Sequence, residues 1–246
     1  MKHSKKTVAK KIFKYTLVAL AVVVGLHLFL QVLNLLVFKG DNFAIFELSN
    51  RFDLDDEESV ATWYSQFLFI GIALTGLLAA WLETSSKPRR ALWSTLAIIA
   101  TVFSIDEVAT THEFVLTQLH VAAYGNSDST LLQNGWIIVA PFVLAIGIAL
   151  VWWIFRMVPK RTFILLATAG FVFLAGSMGV EVITNAMTFN AFTSEGILVA
   201  MEEGMELLGS TIALYAMADY IERRHGKHVG EAFKRIKASR DKTSQA

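Results

Sequence analysis

Long apolar runs separated by short polar segments extend through most of the chain. Six runs are long enough to cross a hydrocarbon layer, which takes about 20 apolar residues in a helix. They cover residues 15–38, 61–82, 91–119, 136–156, 162–187 and 196–221, the third being apolar only as far as Ile105. Nearly every residue lies in these runs or their short connections. The pattern therefore predicts an all-α, polytopic membrane bundle with six transmembrane helices and a single membrane domain over residues 1–246.

Lysine and arginine are concentrated in alternate connections. Of 22 such residues, 20 lie in residues 1–15, 84–90, 156–161 and 222–246. With six spans these segments share one side of the membrane, and an excess of basic residues marks the cytoplasmic side. We therefore expect a multi-pass protein of the bacterial inner membrane with both termini in the cytoplasm. Residues 222–246 then form a basic cytoplasmic tail, and the acidic segment 41–58 lies outside.

The composition excludes several classes of chemistry and partner. The chain has no cysteine, which excludes disulfides, thiolate metal sites, iron–sulfur clusters and cysteine nucleophiles. Its basic segments are short flanks of membrane helices, so nucleic acid is not an expected partner. The lipid bilayer is the expected one, and a small-molecule or lipid-like substrate is compatible with it.

Carboxylates interrupt three of the apolar runs at one common depth. Counted from the inner side, these acids are Asp106 and Glu107 in the third run, Glu181 in the fifth, and Glu206, Glu203 and Glu202 in the sixth. At about 1.5 Å per residue they lie ~22–27 Å from the inner boundary of a ~30 Å core. Acids within a membrane are costly and usually mark a pathway, a relay or a ligand site. The function should therefore be sought at this depth.

Polar residues also recur at helical spacing on single faces. Asp106, Thr110 and Glu113 lie within about 60° of one another on a continuous helix. On the first span His27, Gln31 and Asn34 stand at i, i+4 and i+7. Lipid cannot satisfy such groups, so the stripes are expected to face the bundle interior.

Small residues follow one another along the fifth run. They are Gly170, Ala175, Gly176 and Gly179. Small residues allow two membrane helices to approach closely, so helix packing is the expected role of this stretch.

The number of acids at one depth requires compensating positive charge. No lysine or arginine lies in the apolar part of any span, which leaves shared protons or bound cations. Carboxylates with a histidine and no sulfur suit Mg²⁺, Mn²⁺, Ca²⁺, non-haem iron or zinc. Two-metal sites in helical bundles use a Glu-x-x-His pair, which is missing here because Glu107 and His112 stand five residues apart.

Three segments resemble signatures of a bacterial protein family. Residues 52–65 (FDLDDEESVATWYS) resemble an LDxE…TW(F/Y)S pattern, residues 104–113 (SIDEVATTHE) an S(I/L)DE…HE helix, and residues 202–209 (EEGMELLG) an EExxExLG pattern. The family is a set of uncharacterised multi-pass bacterial membrane proteins. The resemblance implies a signature set consisting of Glu57, Asp106, Glu107, His112, Glu113, Glu202, Glu203 and Glu206.

The resulting hypothesis is an outward-facing site that binds one or two divalent cations through Asp106, Glu107, Glu202 and Glu206. Further candidate ligands are His112, Glu113, Glu181, Glu203 and Glu57. In an enzyme, metal-activated water would attack the substrate with a glutamate as general base, and an oxidative di-metal reaction is left open.

Two alternatives belong to other functional classes. One is a proton- or cation-coupled transporter whose path includes the His27, Gln31 and Asn34 stripe. Against it, the inner halves of the third, fifth and sixth runs are almost wholly apolar. The other is a non-catalytic sensor or assembly protein whose acids only stabilise the fold.

Overall fold

The computed structural model describes residues 8–37, 42–125, 136–180 and 192–243. These residues form the helices α1 (Val8–Val32), α2 (Phe43–Arg51), α3 (Val60–Leu82), α4 (Lys87–Ala109), α5 (Thr111–Tyr124), α6 (Trp136–Met157), α7 (Lys160–Leu174) and α8 (Phe192–Thr243). Short π-helical segments continue α1 over Leu33–Val37 and α7 over Ala175–Val180. The predicted all-α class is confirmed.

Four helical stretches are long and apolar enough to cross a membrane. They are Val8–Val37, Val60–Leu82, Lys87–Ala109 and Lys160–Val180, and a shorter apolar stretch covers Pro141–Met157 of α6. A helix of 23 residues is about 34 Å long, enough for a hydrocarbon core of about 30 Å. These helices indicate a membrane protein, as predicted. The other two predicted spans fall within α6 and α8, and the count of six stays a prediction.

Helix α8 is the element around which the others pack. It contacts α1, α3, α7 and the π-helical end of α7, while α3 also packs along α4. Trp93 of α4 and Tyr220 of α8 are both buried, with ring centroids 4.5 Å apart. Aromatic pairs in this range add to the apolar area that they bury. The outer face of α6 shows the opposite pattern, since Phe142 and Ile146 are 69% and 67% exposed, as lipid-facing side chains would be.

Two glycines allow α7 and α8 to approach closely. A Cβ atom placed on Gly176 would lie 2.7 Å from the carbonyl oxygen of Glu202, and one on Gly209 would lie 2.8 Å from that of Ala169. The predicted packing role is therefore confirmed at Gly176. For Gly170 and Gly179, no atom of the described chain lies within 4 Å of the added Cβ.

The predicted continuous helix over residues 91–119 is wrong. Helix α4 ends at Thr110, which has a left-handed backbone (φ 43°, ψ 33°) and donates its N–H to Asp106 O at 2.7 Å. A separate helix, α5, begins at Thr111. The break follows the point where the apolar run ends, and threonine is a poor helix former. Asp106 and Glu113 therefore belong to two different helices, and the side chain of Glu113 lies outside what the structure describes.

Two helices extend beyond the predicted spans. The first is described from Val8, before the predicted span at residue 15, and the basic segment after residue 221 continues α8 as far as Thr243. The predicted fifth span, residues 162–187, becomes π-helical at Ala175, and its last seven residues lie outside the described chain.

Candidate functional site

Glu203 of α8 lies within a group of acidic side chains. It interacts electrostatically with Glu202 and Glu206 of the same helix, with Glu107 at the end of α4 and with Asp55 in the loop between α2 and α3. These five residues are called the acid cluster below. Two helices and one loop contribute to it, so the cluster is a product of tertiary structure.

The π-helical end of α7 lies directly against the part of α8 that carries the cluster. A Cβ on Gly176 would lie 3.3 Å from Glu206 Cγ and 2.9 Å from Met205 Cβ, in addition to its approach to Glu202 O. Only glycine leaves room there for the turn of α8 that carries Glu202 and Glu206. The small residue thus has a direct bearing on the site.

The structure brings together four of the nine predicted site residues, namely Glu107, Glu202, Glu203 and Glu206. Asp106 is half-buried beside Glu107 at the end of α4. Glu57 and Asp55 are both exposed in the loop between α2 and α3. Asp55 interacts electrostatically with Glu203, and the role of Glu57 stays a prediction.

Three predicted site residues lie outside what the structure describes. Glu181 follows the last described residue of the π-helical segment, and the side chains of His112 and Glu113 are not described, although their backbone belongs to α5. Among the side chains that are described, no three histidine, aspartate or glutamate residues are placed to hold a metal ion.

The loop that carries Asp55 is held to α1 by polar contacts. Leu54 N–H donates to His27 Nδ1 at 3.2 Å, and Gln31 Nε2 donates to Asp53 Oδ2 at 3.2 Å. Asn34 is buried one turn further along. The predicted polar stripe on the first span is thus directed into the protein. Its first two members contact the loop between α2 and α3, which positions the site.

Comparison with known families adds one finding. Residues 15–220 match a family described as a domain of unknown function, DUF8692. The chain belongs to the DUF8692 family. No curated protein and no solved structure matches it. The matched region includes the three signature segments noted above, whose relation to this family stays a prediction. Because the DUF8692 description assigns no activity, function must be argued from the side chains.

A second polar network, which the sequence reasoning missed, lies near the inner end of α8 in this DUF8692 protein. Glu83 directly follows α3 and is buried; its Oε1 accepts hydrogen bonds from Tyr220 and Arg224 and lies 3.2 Å from His225 Nε2. Burial alone would raise the pKa of Glu83. The hydrogen bonds from Tyr220, Arg224 and His225, together with the charge of Arg224, outweigh burial and hold that pKa below its usual value.

Asp219 forms a matching arrangement one turn before this point on α8. Its Oδ2 accepts from Arg161 Nε at 2.9 Å and from Arg223 Nε at 2.8 Å. A sequence signal for both acids did exist. Glu83 immediately follows an apolar run. Asp219 lies in the last turn of the predicted sixth span, four residues before Arg223. Neither acid lies at the common outer depth at which the sequence pattern predicts the site.

Proposed function

We propose that this protein is a six-span inner-membrane protein with both termini in the cytoplasm, and that its acid cluster binds cations from the outer side. The distribution of 20 of 22 basic residues supports the orientation. The cluster formed by Asp55, Glu107, Glu202, Glu203 and Glu206 is the observation that carries the cation-binding function.

Repulsion within the cluster gives the physical reason. Residues one helical turn apart, such as Glu202 and Glu206, have their Cβ atoms about 5–6 Å apart. Two ionised carboxylates at about 6 Å repel by about 3 kcal/mol at an effective dielectric constant of 20. Several such pairs would approach the whole stability of a typical protein, about 5–15 kcal/mol. Bound positive charge removes this cost.

Carboxylate oxygens bind both protons and hard divalent cations. Either ligand would bring positive charge to the cluster. The metal hypothesis rests on the donor set. Asp106, Glu107, Glu202 and Glu206 would be the ligands of Mg²⁺, Mn²⁺ or Ca²⁺, and His112 extends the set to iron or zinc. The described side chains do not form a ready metal site, and we derive no reaction at a metal.

Thermal unfolding of the purified protein tests the proposal and separates the two cations. A divalent metal at a hundredfold excess over its dissociation constant stabilises the protein by about 2.7 kcal/mol. Stability should then rise with metal, fall with a chelator, and lose both responses in Glu206→Gln. If protons are the ligand, stability rises as the pH falls, because the folded state then binds more protons than the unfolded state.

Glu58→Gln is the matched control, because Glu58 is an exposed acid of the same outer loop and should leave both responses unchanged. Glu203→Gln replaces the acid that interacts with the other four, and should reproduce at neutral pH the stability that protons give the wild type. A protein that responds neither to metals nor to pH, or that responds equally in Glu206→Gln, would refute the cation site.

Cation-coupled transport is a second candidate, supported by the inner half of α8. Ser210 and Thr211 are buried there, 4% and 0% exposed. Two buried hydroxyl side chains therefore lie one turn inward from Glu206, on a helix whose inner half is otherwise almost wholly apolar in sequence. Buried polar residues in a membrane helix often accompany ion and proton pathways. Ion flux into liposomes that contain the purified protein distinguishes transport from binding alone.

A further inference from the structure

A buried histidine joins three separate parts of the protein on the side of the acid cluster. His27 is 1% exposed. Its Nδ1 accepts the backbone N–H of Leu54 at 3.2 Å, and its Nε2 lies 3.4 Å from the carbonyl oxygen of Gly196 in α8. Because Nδ1 accepts, the proton of the neutral ring is on Nε2, which donates to Gly196. The ring therefore connects α1, the loop between α2 and α3, and the beginning of α8.

Asp53 continues this connection to the acid cluster. Its Oδ1 lies 3.5 Å from His27 Nδ1 and accepts the backbone N–H of Asp55 at 3.2 Å. Its Oδ2 accepts from Gln31, as described above. Hydrogen bonds and a close polar contact thus join the imidazole to Asp53 and Asp55, and Asp55 interacts electrostatically with Glu203 of the cluster.

Protonation of the ring would change these contacts in a defined way. A protonated Nδ1 becomes a donor and can no longer accept the backbone N–H of Leu54. Leu54 is only 3% exposed. The acceptor beside it is the carboxylate of Asp53. Asp53 is the charged group that faces the ring from the loop, α8 presents the neutral carbonyl of Gly196, and Asp55 is the next acid along the loop. The same groups therefore have two alternative hydrogen-bonding arrangements.

We propose that His27 and Asp53 form a latch that positions Asp55 against the acid cluster, and that protonation of His27 changes this position. With a neutral ring, Leu54 and Asp53 hold the loop as it is seen. With a protonated ring, Asp53 turns to the imidazole and the loop loses its anchor at Leu54. The effect on cation binding rests on the proposed function of the cluster. His27 is a positioning residue in this proposal, acting through Asp53.

The latch can be tested without any cation. The chain has no cysteine, so a spin label on Glu57→Cys, an exposed site in the loop, reports loop mobility alone. In the wild type its mobility should change when the pH is lowered, because a protonated ring no longer accepts from Leu54. His27→Asn offers an oxygen near the Nδ1 position that accepts from Leu54 but does not titrate, so the change should vanish. Asp53→Asn removes the charge that a protonated ring needs and should also abolish it.

Asp56→Asn is the matched control, because Asp56 Oδ1 accepts the N–H of Glu58 at 2.9 Å in the same loop and should leave the pH change intact. Absence of a pH change in the wild type, or its persistence in both His27→Asn and Asp53→Asn, would overturn the latch. If either His27→Asn or Asp53→Asn folds poorly, the other variant still tests the latch.

Cation affinity of the same proteins without the Glu57→Cys substitution and its label tests the link to the cluster. On the low-pH side of the label transition, His27→Asn should bind the cation at least about fivefold more tightly than the wild type, a common size for coupling between two sites. On the high-pH side the two proteins should bind equally. If the label transition behaves as expected but no cation binds, the latch stands and the cation site is refuted.

Discussion

Alanine at Gly176 should destabilise the protein, whereas alanine at Gly179, in the same π-helical segment, should not. A Cβ at Gly176 would lie 2.7 Å from Glu202 O and 2.9 Å from Met205 Cβ. A backbone oxygen cannot rotate away, so α7 and α8 must separate, and overpacking of this kind costs roughly 1–3 kcal/mol. The gain in helix propensity over glycine returns about 1 kcal/mol. The steric cost exceeds this gain, and we expect a net loss of up to about 2 kcal/mol.

Gly179→Ala provides the internal control, because no described atom lies within 4 Å of its added Cβ. Only the propensity gain remains there, and stability should stay unchanged or rise by up to about 1 kcal/mol. Thermal unfolding in detergent measures both variants, at about 2–4 °C per kcal/mol for a chain of this size. Gly176→Ala should also weaken the response to cations, because it displaces the turn that carries Glu202 and Glu206. If Gly176→Ala were as stable as Gly179→Ala, the close contact between α7 and α8 would be refuted.

Two further predictions concern the inner network and the topology. Because the pKa of Glu83 is lowered, its contribution to stability is present above its unfolded pKa and disappears as the pH falls through the folded one. Glu83→Gln should therefore lose up to about 3 kcal/mol at neutral pH, with a difference from the wild type that shrinks towards pH 3 in denaturation experiments. A constant difference would contradict the ion-pair network. For the topology, Asp55→Cys should react with an impermeant reagent from outside, and Lys87→Cys only from the cytoplasmic side; the reverse labelling would refute the orientation.

Helix positions were predictable where local signals define both ends. The predicted span 61–82 corresponds to Val60–Leu82, whose start is capped by Ser59 Oγ accepting from Ala61 and Thr62 N–H at 3.1 and 3.2 Å. Such a cap predicts where the helix begins, and the apolar run that follows predicts how far it extends. The break at Thr110 was missed because periodicity does not report a single left-handed residue between two helical stretches.

The sequence predicts the position of each acid along its own helix, but not the partners that other helices and loops bring to it. Counting residues predicts the depth of an acid along its helix, and the electrostatic interaction between Glu107 and Glu203 is compatible with their predicted common depth. Counting gives no information on how a loop folds over the helices, and it therefore did not predict that Asp55 interacts electrostatically with Glu203. It also gives no information on tertiary partners. The contact between Glu83 and Arg224, 141 residues apart in the chain, appears only once α3 packs against α8.

The two polar groups along α8 differ in the charge of the side chains with which their acids interact. We expect this difference to give the inner group a structural role and the acid cluster a functional one. Near the inner end, Glu83 and Asp219 each accept hydrogen bonds from arginines. Such paired acids are costly to disrupt and need no further ligand. At the cluster, Glu203 interacts electrostatically with four other acids, and added positive charge would reduce the repulsion among them. Groups in such environments concentrate at functional sites. Substitutions at Asp219 should therefore act mainly on stability, and those at Glu203 on the response to cations.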